Sequence, residues 1–303
     1  MSALLKDFVQ RVETISPLQG KATKATLHSL STEHLNESET LMEGLIKYAA
    51  NNGMDMGDLA DSYLSICNNT RKEQIYFAKK GKYRLSDAEE AKVTVYEDES
   101  VMRPYMLGLA VTQIFWSHHR QLFSFFEKCI ETYPYETYLE IGPGHGLFLA
   151  EAINRLPDAN YTAIDLSETS LDISKDMLAT FVNDNEAKFE LKQADLFKWE
   201  TDQKFDFITV GEVLEHVERP DVMMERIRTY LKDDGYLWAS TCANCPAIDH
   251  IFLFNSAQHI RDVMTDSGFE IVDETAIETD TGLCNCQGKE LPTVNYAALL
   301  KKA

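Results

Sequence analysis

"YLEIGPGHGLFLAEA", residues 138–152, passes from a short apolar run through three glycines into a helical pattern. Glycines at 142, 144 and 146 let the backbone turn sharply and approach a ligand closely, and the helix start beyond them presents unpaired N–H groups. A glycine turn is also a common tight connection between a strand and a helix, so its neighbours carry the reading. Glu140 stands before the glycines, where a carboxylate repels a phosphate and suits an ammonium group. Leu147 occupies the place of the third glycine in a phosphate-binding G-x-G-x-x-G, which argues against a dinucleotide.

Outward from this stretch, β-rich runs alternate with helical ones: "TYLEIG", "YTAIDL", "KFELKQ", "FDFITV" and "GYLWAST". Such alternation predicts a parallel sheet with helices on both faces. "FNSAQHIRDVMTDSGF" reads as a last helix stopped by Gly268, and "EIVDETAIET" and "TVNYAALLKK" as a closing pair of strands at one edge. Residues 1–133 follow a different pattern, with apolar positions at helical spacing such as Leu41, Leu45, Tyr48 and Ala49, then Leu59, Tyr63 and Ile66. The expected organisation is a helical N-terminal cap or substrate domain over 1–133 and a ligand-binding core over 134–303. Within the cap, "KVTVYEDESVMRPYM" reads as a strand-like piece and a charged turn, a connector or lid, followed by one long aromatic-rich helix through "YMLGLAVTQIFWSHHRQLFSFFEKCIETY".

Composition bounds the partners. The 303 residues carry 49 acidic against 29 basic side chains, a formal charge of −20. That field repels phosphate backbones and anionic membrane surfaces, so neither nucleic acid nor membrane is an expected partner. No apolar run reaches the roughly 18–20 residues that span a bilayer, and the start shows no secretory pattern, so a cytoplasmic location is expected. Homo-oligomerisation is compatible with the sequence. The close pairs Cys242/Cys245 and Cys284/Cys286 read as reduced thiols lining a pocket, ahead of a four-thiolate zinc site.

Asp165 ends the second strand about 20 residues beyond the glycines, where a carboxylate accepts hydrogen bonds from ribose hydroxyls. Asp195 in "KQADLF" is placed for the exocyclic amine of adenine, with Leu196 against the ring. With "GEVLEHV" after the fourth strand, the run from Tyr138 to about Lys301 resembles the class I S-adenosylmethionine-dependent methyltransferases. The resemblance implies an α/β fold, a Rossmann-like seven-stranded sheet with its last strand antiparallel. It also implies S-adenosyl-L-methionine as the donor, above the carboxyl ends of strands one to four. On that alignment Glu140 faces the methionine ammonium, Gly142, Gly144 and Gly146 pass under the donor, Asp165 and Leu166 take the ribose, Asp195 and Leu196 the adenine, and Glu212 also touches the donor.

"GEVLEHVERP", residues 211–220, begins at the carboxyl end of the fourth strand, where ligands bind in such sheets. On a helical turn Glu212, Glu215 and His216 share one face, and Pro220 limits that helix to about two turns. His250 arrives in "AIDHIFLF" on the same rim. The mixed oxygen and nitrogen set suits magnesium, manganese, iron or zinc. E-x-x-E-H followed by D-H-x-x-x-F resembles the metal site of the small-RNA 3′-terminal 2′-O-methyltransferases, and the ubiquinone-pathway O-methyltransferases are similar here. The resemblance implies Glu212, Glu215, His216 and His250 as ligands. Nothing in the chain resembles an RNA-binding module, so a small acceptor chelating through two oxygens is expected. Many methyltransferases carry this motif without a metal; in that reading Glu212 touches the donor and His216 or His250 is the catalytic base, while a merely solvated helix is the plainest alternative. Oxygen is the leading acceptor atom, followed by carbon in an activated 2-oxo acid and then nitrogen. A non-catalytic donor-binding partner of a methyltransferase complex is the competing expectation from another class.

Overall fold

In the computed structural model, which describes residues 3–183, 187–279 and 291–303, the chain begins with helices α1 (Ala3–Ile15), α2 (Pro17–Ser29), α3 (Thr32–Asn51) and α4 (Met56–Lys80). They are followed by a short α5 (Ala88–Ala91), then α6 (Glu99–Phe115) and α7 (Ser117–Thr132). Local chemistry sets several of these ends. Pro17 opens α2, where its missing N–H costs nothing. Asp55 and Asp58 form a reciprocal cap at the start of α4, and Gly81 ends that helix in the left-handed conformation. The helices bury Leu5, Phe8, Leu45, Leu59, Tyr63 and Met106 in one cluster that also includes Leu147, Ile173 and Met177 from the sheet-flanking helices. The helical layer therefore shares its core with the rest of the molecule.

Two expectations about this layer are corrected. "KVTVY" is not a strand but a π-helical turn, Lys92–Tyr96, that continues α5 and buries Val95 while Val93 stays exposed. A strand needs a neighbour to satisfy its backbone, whereas here Asp87 caps the helix start and the Thr94 hydroxyl donates to the Glu90 carbonyl. The aromatic-rich run is two helices broken at Trp116, whose backbone is extended. The burial pattern explains the break: α6 is buried on nearly every side between Met102 and Phe115, while α7 buries a stripe through Leu122, Phe125, Phe126, Cys129 and Ile130. One straight helix cannot serve both environments.

The sheet follows as β1 (Thr137–Ile141), β2 (Asn160–Asp165), β3 (Lys188–Gln193), β4 (Phe205–Gly211), β5 (Leu231–Ala243), β6 (Phe269–Thr279) and β7 (Thr293–Lys302). Its order is β3-β2-β1-β4-β5-β7-β6. The first five strands run parallel, and β7 lies antiparallel between β5 and β6. Helices α8 (Leu147–Arg155), α9 (Glu168–Phe181), α10 (Pro220–Tyr230) and α11 (Ala257–Asp266) complete the two faces. Alternation along β1 assigns them: Tyr138 joins the cluster under α7, α8 and α9, and Leu139 and Ile141 join the one under α10 and α11. This is the expected α/β architecture with a helical N-terminal layer. Among the described residues no helix is long and apolar enough to cross a membrane.

Reversal of the order between β1 and β4 opens a crevice at their carboxyl ends, and the glycine turn stands there. Gly146 is held at φ 76°, and a Cβ added to it would lie 2.9 Å from the Cα of Ser174 on α9. Gly146→Ala is therefore expected to lower unfolding stability by about 1–3 kcal/mol in a urea titration; an unchanged midpoint would contradict this packing.

Candidate active site

Gly142 and Gly144 also have positive φ, and each supports a neighbour. A Cβ on Gly142 would meet Val213 at 2.8 Å, and one on Gly144 would meet the Met106 sulfur at 3.3 Å, so α6 lies directly on the glycine turn. The turn is joined to β2 through α9: the Ser170 hydroxyl donates to Asp165 Oδ2 at 2.6 Å and lies 3.3 Å from the Gly144 carbonyl. Asp165 also accepts from the Ser167 amide at 2.8 Å, and burial raises its carboxyl above the usual range. Leu166 beside it is exposed.

Asp195 is next along the rim, on the loop after β3. Its Oδ1 accepts from the Phe197 amide at 3.0 Å and its Oδ2 pairs with Lys198 at 2.9 Å. Leu196 is buried in the core under α10, whereas Phe197 presents its ring to solvent. The most exposed large apolar side chain on this loop is therefore Phe197, which the sequence reading passed over in favour of Leu196. The alternation of buried and exposed positions after β3 is the signal that could have found it.

Glu140 is buried on the α7–α8–α9 side of β1, and its Oε2 accepts from the Tyr138 hydroxyl at 2.9 Å. Desolvation pushes its pKa up to about 8.

The turn after β4 departs from the helical face expected of it. Glu212 has φ 52°, in the left-handed region, and only Leu214–His216 form a 3-10 turn; Pro220 begins α10. Glu212, Glu215 and His216 consequently do not line one helix face. Tertiary contacts gather the cluster instead. The Glu215 carbonyl accepts from the amides of Ile251 and Phe252 at 2.8 and 2.9 Å, which brings the loop after β5 against the turn after β4. His250 Nε2 then lies 3.9 Å from Glu215 Oε1, and the His216 and His250 rings are 5.0 Å apart. Three of the four sequence-predicted ligands are thus brought together, and the fourth, Glu212, stands next to Glu215.

The electrostatics of the cluster are unusual. Glu215 has no exposed surface, and burial pushes it up to about 7. Burial, with the Glu215 carboxylate beside it, holds Glu212 well above the usual range, and Glu212 Oε1 is buried without a hydrogen-bond partner among the described residues. His250 is depressed to about 4 by burial and then by His216. Each imidazole has Nδ1 against a backbone carbonyl, His216 at 3.0 Å from that of Asp249 and His250 at 2.5 Å from that of Cys245. A carbonyl only accepts, so Nδ1 carries the hydrogen in both rings and Nε2 is left with a lone pair.

Asp249, which was not singled out from sequence, and Cys242, which was read as a pocket thiol ahead of a four-thiolate zinc site, both belong to the cluster. Glu215, Cys242 and His250 place a ligand atom each within 4.8 Å of one another, and so do His216, Asp249 and His250. Asp249 further binds the helical layer: it accepts from Tyr105 at 3.0 Å and Tyr96 at 3.4 Å. Tyr96 in turn accepts at its carbonyl from the Ser167 hydroxyl, beside Asp165. The adjacency of Asp249 to His250 was a usable signal; nothing local marks the tyrosines, which arrive from the cap. Cys284 and Cys286 lie outside the described residues. His118 and His119 are apart from this cluster, packed with Trp116, and His119 Nδ1 meets the Thr112 hydroxyl at 2.7 Å.

A family model described as a methyltransferase domain matches residues 139–237, which span the glycine turn, Asp165, Asp195 and the turn after β4. Residues 139–237 therefore form a methyltransferase domain. A ubiquinone biosynthesis O-methyltransferase of Dechloromonas aromatica is 26% identical over 168 residues, 54% of this chain and 70% of that protein. One of Shewanella pealeana is 32% identical over 104 residues, which spans 34% of the methyltransferase and 42% of the relative. Human N-acetylserotonin methyltransferase, solved with S-adenosylmethionine, shares the fold at a TM-score of 0.54 and 14% identity, covering 82% of this chain and 71% of that one.

Two outcomes test the geometry on the donor side. A raised carboxyl pKa means that the folded state holds the Glu140 proton more tightly, so this contribution to stability is full below about pH 4.5 and lost as pH rises through about 8. Glu140→Gln should remove it, flattening unfolding stability across that window by up to roughly 1.4 kcal/mol per pH unit; an unaltered pH profile would show that Glu140 is not held protonated. Asp165→Ala should weaken S-adenosylmethionine binding by about 1–3 kcal/mol in calorimetry, the cost of leaving ribose hydroxyls unpaired.

Proposed function

We propose that this methyltransferase moves the methyl group from S-adenosylmethionine to an oxygen of a small acceptor that chelates a divalent metal held after β4 and β5. One observation carries the reading: His250 has Nδ1 committed to the Cys245 carbonyl and turns Nε2 to within 3.9 Å of the buried Glu215 carboxyl, with the His216 ring 5.0 Å from its own. A metal-ligating histidine characteristically donates its other ring N–H to a carbonyl or carboxylate, and His250 has that form. Two carboxyls forced above their usual range by burial fit a cation better than they fit each other. The residues therefore fit a divalent metal.

In this reading Asp165 receives the ribose, Asp195 and the exposed Phe197 ring receive the adenine, and the glycine turn lets the donor approach β1. Residues 137–302 supply the donor side, and the helices up to Thr132 cover the acceptor through Tyr96 and Tyr105. Methyl transfer from a sulfonium is an in-line displacement, so the protein's work is to align an acceptor lone pair with the methyl carbon and to take up the acceptor's proton. When bound, the metal lowers the pKa of an acceptor hydroxyl. Glu215 and His250 would hold that metal, and His216, in the neighbouring group with Asp249, would take up the acceptor's proton.

The choice of oxygen is supported by the printed function of the curated relatives, which are named as O-methyltransferases. A small acceptor is supported by the charge of −20, which disfavours a nucleic acid. Vicinal hydroxyls or a catechol have the required two oxygens.

Metal analysis of protein purified without a histidine tag, paired with catechol methylation before and after chelation, tests the proposal. The expected result is near-stoichiometric metal and at least about a 100-fold loss of rate on chelation, restored by adding divalent cation back. Full turnover by metal-free enzyme would overturn it.

A further inference from the structure

Beyond the oxygen and nitrogen ligands, the cluster holds a sulfur. Cys242, at the end of β5, is buried, with Sγ 3.7 Å from Glu215 Oε1 and 3.9 Å from His250 Nδ1. Ligand atoms about 2.0–2.3 Å from a tetrahedral centre lie roughly 3.3–3.7 Å apart. The separations of 3.7 Å from Sγ to Glu215 Oε1 and 3.9 Å from His250 Nε2 to the same oxygen need a few tenths of an ångström of contraction, and the imidazole, whose Nδ1 now lies 3.9 Å from Sγ, must turn its Nε2 toward the sulfur.

The ligand atoms are also oriented. Glu215 Oε2 accepts from the Thr241 hydroxyl at 2.7 Å, which leaves Oε1 to face Cys242 and His250. His250 Nδ1 is committed to the Cys245 carbonyl, which leaves Nε2 toward that same Oε1. Glu215 and His250 thus each have a second partner fixing which atom they offer, the arrangement that built metal sites show. Magnesium and manganese prefer oxygen and leave thiolates alone, whereas a tetrahedral set including thiolate and imidazole selects zinc.

We propose that Cys242 is a metal ligand, completing with Glu215 and His250 a tetrahedral site of the zinc class whose fourth position faces the acceptor. The inference rests on the metal reading given above and narrows it. On binding, the Cys242 thiol loses its proton to solvent and the sulfur forms the metal bond as a thiolate. Glu212 and His216 then serve the donor and the acceptor's proton rather than the metal. This departs from a four-ligand set of two glutamates and two histidines.

Cobalt(II) titration of chelator-stripped full-length protein tests it, because cobalt reports its ligands by absorption. Wild type should bind stoichiometrically, with thiolate-to-cobalt charge-transfer absorption in the near ultraviolet and intense tetrahedral d–d bands. Cys242→Ser should lose the charge-transfer absorption and about 100-fold or more of its cobalt affinity, while its circular dichroism stays that of wild type. Should the variant fail to fold, X-ray absorption of the wild-type zinc form gives the same answer: sulfur at about 2.3 Å supports the proposal, and a shell of only oxygen and nitrogen at about 2.0–2.2 Å overturns it. Stoichiometric cobalt without sulfur absorption would remove Cys242 and leave the metal reading standing. No bound cobalt at any concentration up to the millimolar range would remove both.

Discussion

The Glu215 carbonyl, accepting from the amides of Ile251 and Phe252, is the constraint on which the rest of the site depends. Those two hydrogen bonds fasten the loop after β5 to the turn after β4, and the parallel pairing of the strands fixes the distance between the two anchors. Everything chemically distinctive follows from that fastening. His216 meets the Asp249 carbonyl, His250 meets the Glu215 carboxyl, and Cys242 is enclosed between them. A carboxyl with no exposed surface is costly unless it is neutralised or paired, so the fastening also builds an electrostatic demand into the middle of the site. A cation meets that demand most directly.

The helical layer is tied to the same point. Tyr105 and Tyr96 donate to Asp249, the Cys245 amide donates to the Tyr83 hydroxyl, and the Ser167 hydroxyl reaches the Tyr96 carbonyl. Tyr96 therefore touches both the strand end that carries Asp165 and the loop that carries His250. Its place in a π-helical turn is consistent with this, since such turns shift the helix register and re-aim a side chain. One residue of the cap thereby spans the strand end that carries Asp165 and the loop that carries His250.

Much of this was legible in the sequence, for identifiable reasons. The seven strands show because each alternates or runs apolar between turn residues, and the glycine turn shows because glycine adopts the positive φ found at 142, 144 and 146 at least cost. Glu215, His216 and His250 were named from motif alone, and the structure brings them together. The expected helical face for Glu212 failed because a positive φ at that residue interrupts the turn, which the residue type gives no reason to expect. The strand expected over Lys92–Tyr96 failed because alternation of two valines is compatible with either period over so short a run.

The sequence by itself determined the order of strands and helices along the core, the glycine turn between β1 and α8, and most of the acidic and imidazole groups at the rim, because these are set by local periodicity and by residue chemistry at fixed offsets. The tertiary structure alone decided the break at Trp116, the exposure of Phe197 in place of Leu196, and the gathering of Asp249, Cys242 and the cap tyrosines around His250. Those contacts join residues as far apart as Tyr96 and Asp249, and no local pattern encodes such a pairing. They exist because β4 and β5 end side by side and the helical layer packs over that edge, so the long-range geometry of the sheet selects which side chains meet.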